Sequence, residues 1–110
     1  MTNYEELKTG WLSPEGDFYP CYSYDHNEEA RSILKILGRE YPHHPDDELM
    51  DIGFVYIGIS SFLCHEWRIG WNKFLTEYQI NFLKPYFESD LPVSEFTMHR
   101  WRNEVEQYNV

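Results

Sequence analysis

The chain reads as an α+β fold, with a small antiparallel sheet of two hairpins packed with about four to five short helices in a single domain over residues 1–110. Three observations predict it. The stretch Phe54 to Trp71 is the longest run of β-branched and aromatic residues, a ten-residue segment from Gly10 to Tyr19 carries a tight-turn signature, and several short segments open on capping signals and close on glycine.

In the first of these, Val55, Ile57 and Ile59 alternate with Phe54 and Tyr56, and Trp67, Ile69 and Trp71 alternate with Glu66 and Arg68. That period of two is the mark of half-buried strands. Ser60 and Ser61 fall between the runs as turn residues, which makes a hairpin with at least one face under helices. In the second, Trp11-Leu12 and Phe18-Tyr19 flank Ser13-Pro14-Glu15-Gly16-Asp17, where Pro14 suits the second position of a type I turn and Gly16 follows it. A ribbon this short needs the rest of the domain for support.

The helices follow in order. Thr2-Asn3-Tyr4-Glu5 fits a capping box for a helix over residues 3–9, with Gly10 as its stop. Asp25 and Glu28 open a second helix, in which Ala30, Ile33, Leu34 and Leu37 share one face and Gly38 closes the C-terminus. Tyr41-Pro42-His43-His44-Pro45 is a stiff connector. Pro45 and Asp46-Asp47-Glu48 then start a helix through Leu49, Met50 and Ile52 that stops at Gly53. Thr76-Glu77-Tyr78-Gln79 is another capping box, stapled by Leu75 against Ile80; its helix carries Leu83 and Phe87, and Pro85 ends or kinks it. A last helix is expected from Ser94 to about Gln107, with Met98, Trp101, Val105 and Tyr108 on one stripe.

Composition bounds the function. A hydrophobic fraction of 42% and an aromatic fraction of 18% supply a core, so the chain is not of the disordered class. No run approaches the roughly 18 apolar residues of a membrane span. The first residues lack the basic and apolar regions of a signal peptide, so a cytosolic location is expected, with Cys21 and Cys64 as reduced thiols. The net charge is −10, and residues 1–51 carry twelve acids against four bases. Such a chain repels phosphate backbones and anionic membranes, which disfavours direct nucleic-acid binding and leaves a basic protein as the partner to expect.

Chemistry-bearing residues are sparse. Cys21, His26, His43, His44, Cys64 and His65 include the ligand types of zinc, but there is no Cys-x-x-Cys pair, and Cys64 and His65 are neighbours on a predicted strand and point to opposite faces. No metal or cofactor is expected; Cys21, His26 and Cys64 are the candidates for a metal site or small enzyme, the alternative reading. No phosphate loop, nucleophile elbow or zincin helix is present, and Asp25, which could complete a triad with Cys21 and His26, is explained as a cap. The acids form two groups, Asp25, Glu28, Glu29 and Asp46, Asp47, Glu48, Asp51, both in first helical turns where carboxylates complement the macrodipole. Capping uses one or two of each group. The remainder, with Glu15, Asp17 and Glu40, makes a recognition face if the fold gathers them. Trp11, Tyr19, Tyr22, Tyr24, Tyr41 and Tyr56 exceed what so small a core readily hides; most are expected as core or half-buried cover, and Tyr22 and Tyr24 are candidate anchors beside the acids.

The opening run Gly10-Trp11-Leu12-Ser13-Pro14-Glu15-Gly16-Asp17-Phe18-Tyr19, followed by His26 and Ala30, resembles the start of small uncharacterised accessory proteins from phages and mobile elements of Gram-positive bacteria. Leu75-Thr76-Glu77-Tyr78-Gln79 with Phe82-Leu83 resembles their closing helix. The resemblance implies a setting, the bacterial host cytoplasm, where accessory genes often encode small acidic proteins, some of which block CRISPR nucleases, restriction enzymes or other defences. It carries over no catalytic residue. The function expected is therefore a non-enzymatic, acidic inhibitor of a basic nucleic-acid-handling protein, such as a CRISPR effector or other nuclease, acting by mimicry of nucleic-acid charge. A regulatory adaptor whose acidity is incidental is the third possibility. The run from Phe54 to Trp71 is expected to be scaffold, with function upstream of it.

Overall fold

The computed structural model describes residues 9–21, 26–40, 43–60, 66–69, 74–87, 102–104 and 106–107. Its elements are strands β1 (Gly10–Leu12) and β2 (Phe18–Pro20), helices α1 (His26–Ile36) and α2 (Pro45–Asp51), strands β3 (Val55–Ser60) and β4 (Glu66–Ile69), and helix α3 (Glu77–Phe87). Residues 102–104 and 106–107 are helical. The fold class is α+β. The helix expected over residues 3–9, and the stripe of Met98, Trp101, Val105 and Tyr108, lie outside the described residues.

The expectation of two hairpins gives way to one continuous sheet. Its strand order is β2-β1-β3-β4, every pair antiparallel. β1 pairs with β2 through Trp11↔Tyr19 and Leu12↔Phe18, and its other edge pairs with β3 through Trp11↔Tyr56 and Leu12↔Val55. β3 pairs with β4 from Ile57↔Ile69 to Ser60↔Glu66, so Ser60 belongs to the strand and not to the turn. A ladder that leaves β1 without a free edge gives the short ribbon the support it lacks alone.

Alternation along the strands then sorts side chains onto two faces, and both are covered. Leu12, Val55, Ile57 and Ile69 pack with Leu75, Ile80, Leu83 and Tyr86 of the α3 region, with Phe18 stacked on Phe82 at 5.2 Å between centroids. Trp11, Phe54, Tyr19 and Tyr56 pack with Ala30, Ile33 and Leu34 of α1 and Leu49 of α2. Helices therefore lie on both sides of the sheet, which explains why Phe54 and Val55, neighbours in sequence, are both buried.

The helix termini follow their local chemistry. α1 ends with Arg39 N–H donating to the Leu34 carbonyl at 2.9 Å and Gly38 N–H to the Lys35 carbonyl at 3.0 Å. α2 ends the same way, Phe54 N–H to Leu49 and Gly53 N–H to Met50. Each is a Schellman motif, with Gly38 at φ 74° and Gly53 at φ 104° taking the left-handed position. At the start of α3 the capping box is reciprocal: Gln79 N–H donates to Thr76 Oγ1 at 3.2 Å and Thr76 N–H to Gln79 Oε1 at 3.0 Å. Pro85 does not end α3, which continues to Phe87.

Candidate functional site

The turn between β1 and β2 is built around Ser13. Its N–H donates to the Asp17 carbonyl, its carbonyl accepts from Gly16 N–H, and its Oγ accepts from Asp17 N–H at 2.9 Å. Ser13 is buried, so these bonds set the turn from beneath and leave Glu15 and Asp17 exposed above it. The turn is anchored to the body through its neighbours: the Thr76 hydroxyl donates to the Pro14 carbonyl, and Tyr78 Cβ lies 3.2 Å from where a Cβ on Gly16 would stand.

Beside this turn lies an open cleft of about 430 Å³, lined by Ser13, Pro14, Glu15, Asp17, Tyr19, Leu37, Arg39, Ile52 and Phe54. Three segments make it: the turn with the start of β2, the residues after α1, and the α2–β3 junction. The Schellman motifs deliver the last two, because each helix must stop abruptly to place Leu37 with Arg39, and Ile52 with Phe54, at the rim. Tyr19 and Phe54 form an aromatic wall with centroids 5.9 Å apart. Arg39 is held by Glu48, its Nη2 at 2.8 Å from Oε1 and its Nε at 3.3 Å from the same oxygen. Among the described residues, no hydrogen bond or ion pair engages the carboxylates of Glu15 and Asp17. Leu37 is 42% exposed at one rim, and Tyr78, 63% exposed, stands against the turn.

The residues singled out from sequence divide by position. Glu28 and Glu29 lie in the first turn of α1; Asp46, Asp47 and Glu48 in the first turn of α2, with Asp51 as its last residue. The residue before α2 is His44, whose side chain makes no capping bond; within the first turn Asp46 Oδ1 accepts from Asp47 N–H, and the carboxylates there complement the macrodipole. Of this group the structure joins Glu48 to Arg39, a residue of the cleft, and none of the described acids of the group itself lines it. Tyr22, Tyr24, Asp25, Cys64 and His65 lie outside the described residues, as does the side chain of His26. Sequence reasoning named Glu15, Asp17 and Tyr19 but had no signal for Leu37, Arg39, Ile52 and Phe54 as their companions.

Cys21 is buried and its thiol meets Tyr56 on the α1/α2 side of the sheet. Burial raises the Tyr56 phenol above its ordinary value, and the charge on Cys21 and the hydrogen bond to it act in the same direction. Trp11 packs edge-on to Tyr56 at 5.2 Å, and its buried Nε1 has no hydrogen-bond partner among the described residues. His43 and His44 are exposed, and no cluster of three or more His, Cys, Asp or Glu among the described residues could hold a metal ion. No described helix is long and apolar enough to cross a membrane.

No family model matches the chain, and no curated protein or solved structure shows significant similarity to it.

Proposed function

We propose that the protein is a binding protein that uses its acidic surface to occupy a basic, nucleic-acid-handling partner and so inhibits it in the bacterial cytoplasm. A CRISPR effector or other nuclease is the partner class that the resemblance of the Gly10–Tyr19 run implies. The observation that carries this is the disposition of charge. The first 51 residues hold an excess of eight negative charges, and Glu15, Asp17, Glu28, Glu40, Asp47 and Asp51 among them are exposed. Carboxylates kept in solvent retain their charge and stay available to lysine and arginine side chains that otherwise meet phosphates. Charge complementarity of this kind accelerates association and makes it fall with ionic strength.

The test is affinity capture on the intact protein from a bacterial lysate, at low and at high salt, beside the D46K/D47K/D51K variant. The expected result is a basic nucleic-acid-handling protein that is retained at low salt, released at high salt, and lost on charge reversal. A captured partner that is acidic, or whose retention is indifferent to salt and to the reversal, overturns the proposal.

A further inference from the structure

We propose that the cleft between the Ser13–Asp17 turn and the two helix ends is a receptor for one lysine or arginine side chain of an exposed basic segment. This rests on the reading of the protein as a binder of basic partners and assigns the anchoring position within it.

The chemistry of the walls selects the occupant. A lysine or arginine side chain is an apolar stem with a charged head. The cleft offers the complement of both parts: Leu37, Ile52, Phe54 and the ring of Tyr19 along its wall, and the carboxylates of Glu15 and Asp17 at the turn. The aromatic pair adds a surface over which a cation is attracted. Among the described residues no hydrogen bond or ion pair holds the two carboxylates, and both residues are exposed to solvent.

The arginine already present does not cancel this field. Arg39 is held by Glu48 at 2.8 Å, so among the described residues the charged groups of the cleft, Glu15, Asp17 and the Arg39–Glu48 pair, sum to a negative charge. An anionic ligand would have to displace Glu48 and approach two further carboxylates. A neutral sugar would find the aromatic wall but would leave Glu15 and Asp17 unpaired. The site is also preorganised. Ser13 ties the turn from below, Thr76 holds Pro14, and Schellman closures hold the other two segments, so little ordering accompanies binding. The open mouth suits a side chain presented on a partner's surface better than an enclosed small molecule.

The probe is a short lysine/arginine peptide, titrated calorimetrically into the full-length protein at low salt, with a peptide carrying glutamate at the same positions as its counterpart. The expected result is saturable binding of the basic peptide alone. It should weaken by about tenfold in E15Q/D17N, whose thermal midpoint stays that of the parent, and by less than about twofold in E106Q, which removes a charge elsewhere. Equal binding in E15Q/D17N, preference for the glutamate peptide, or no binding of the basic peptide overturns the assignment. The same variant in the lysate capture separates this from the broader reading. A salt-sensitive basic partner that E15Q/D17N still retains and D46K/D47K/D51K loses removes the cleft while leaving the acidic-surface reading in place.

Discussion

Gln79 Nε2 donates to the carbonyl of Gly53 at 2.7 Å, joining the first turn of α3 to the end of the α2 connection. The same nitrogen lies 3.4 Å from the Leu12 carbonyl, while Oε1 accepts from Thr76 N–H, so one fully buried side chain serves three segments. A capping-box glutamine would ordinarily be half in water. Here its amide also satisfies backbone carbonyls that the sheet and the α2 terminus leave over.

Replacing Gln79 by leucine is therefore expected to destabilise the fold by about 2–4 kcal/mol, since buried carbonyls and the Thr76 N–H lose their partners together. Gln79→Glu keeps the acceptor for Thr76 but turns a negative charge toward the Gly53 carbonyl. Desolvation and that carbonyl raise the folded-state pKa of the new carboxyl above its unfolded value, so its stability is retained at acid pH and lost as pH rises. Urea unfolding at pH 5 and pH 7 should show Q79E closer to the parent at the lower pH, and a pH-independent difference would contradict this account.

Two helix-stop glycines allow the cost of backbone conformation to be separated from the cost of packing. Gly38 (φ 74°) has nothing within 4 Å of where a Cβ would stand, whereas at Gly53 (φ 104°) that Cβ would lie 2.6 Å from Pro14 Cγ. Gly38→Ala is expected to cost about 1 kcal/mol, the conformational term alone. Gly53→Ala should cost roughly 1–3 kcal/mol more, because Pro14 must move and its turn carries Glu15 and Asp17. Chemical denaturation of the two variants measures the difference directly; equal losses would mean that the turn yields freely.

Tyr56 predicts the alkaline limb of the stability curve. Its folded-state pKa is raised from 10.0, first by burial and then by Cys21, so the folded state holds its proton longer than the unfolded chain does. The associated stability is complete below pH 10 and is lost as pH rises through the raised value. Tyr56→Phe should flatten that decline while giving up the contact with Cys21, at about 1 kcal/mol near neutrality. Phenolate absorbance followed through an alkaline titration, in parent and variant, checks it; the chromophore missing from the variant should be one that ionises above the ordinary tyrosine value.

What could be read from the chain was what is local. The turn around Pro14, the helix stops at Gly38 and Gly53 and the Thr76–Gln79 box need only a few consecutive residues, and each stands where its signature puts it. The continuity of the sheet could not be read, because pairing Trp11 with Tyr56 depends on two hydrophobic patterns that match many partners equally well. Ser60 reads as a turn residue but pairs with Glu66, because serine within a strand carries no local mark. The cleft falls in the same class. Glu15 and Asp17 are visible as acids, but Leu37, Arg39 and Ile52 join them only because two helices end beside the turn. Glu48, read as one of an acidic cluster, is tied to Arg39 by tertiary placement that its spacing does not encode.

That pairing supports a last prediction, in which stability and binding move independently. The side chains of Arg39 and Glu48 are 45% and 31% exposed, so solvent screens their attraction and Arg39→Gln should cost no more than about 1 kcal/mol. The same change removes the positive charge from the cleft and releases Glu48 to join Glu15 and Asp17. A basic peptide should then bind R39Q more tightly than the parent at low salt, by about threefold to tenfold, with the advantage shrinking as ionic strength rises. Calorimetric titrations at two salt concentrations, set beside thermal unfolding of the same variant, give both quantities. Weaker binding by R39Q would mean that the arginine itself contacts the ligand, and that the cleft takes an acidic group.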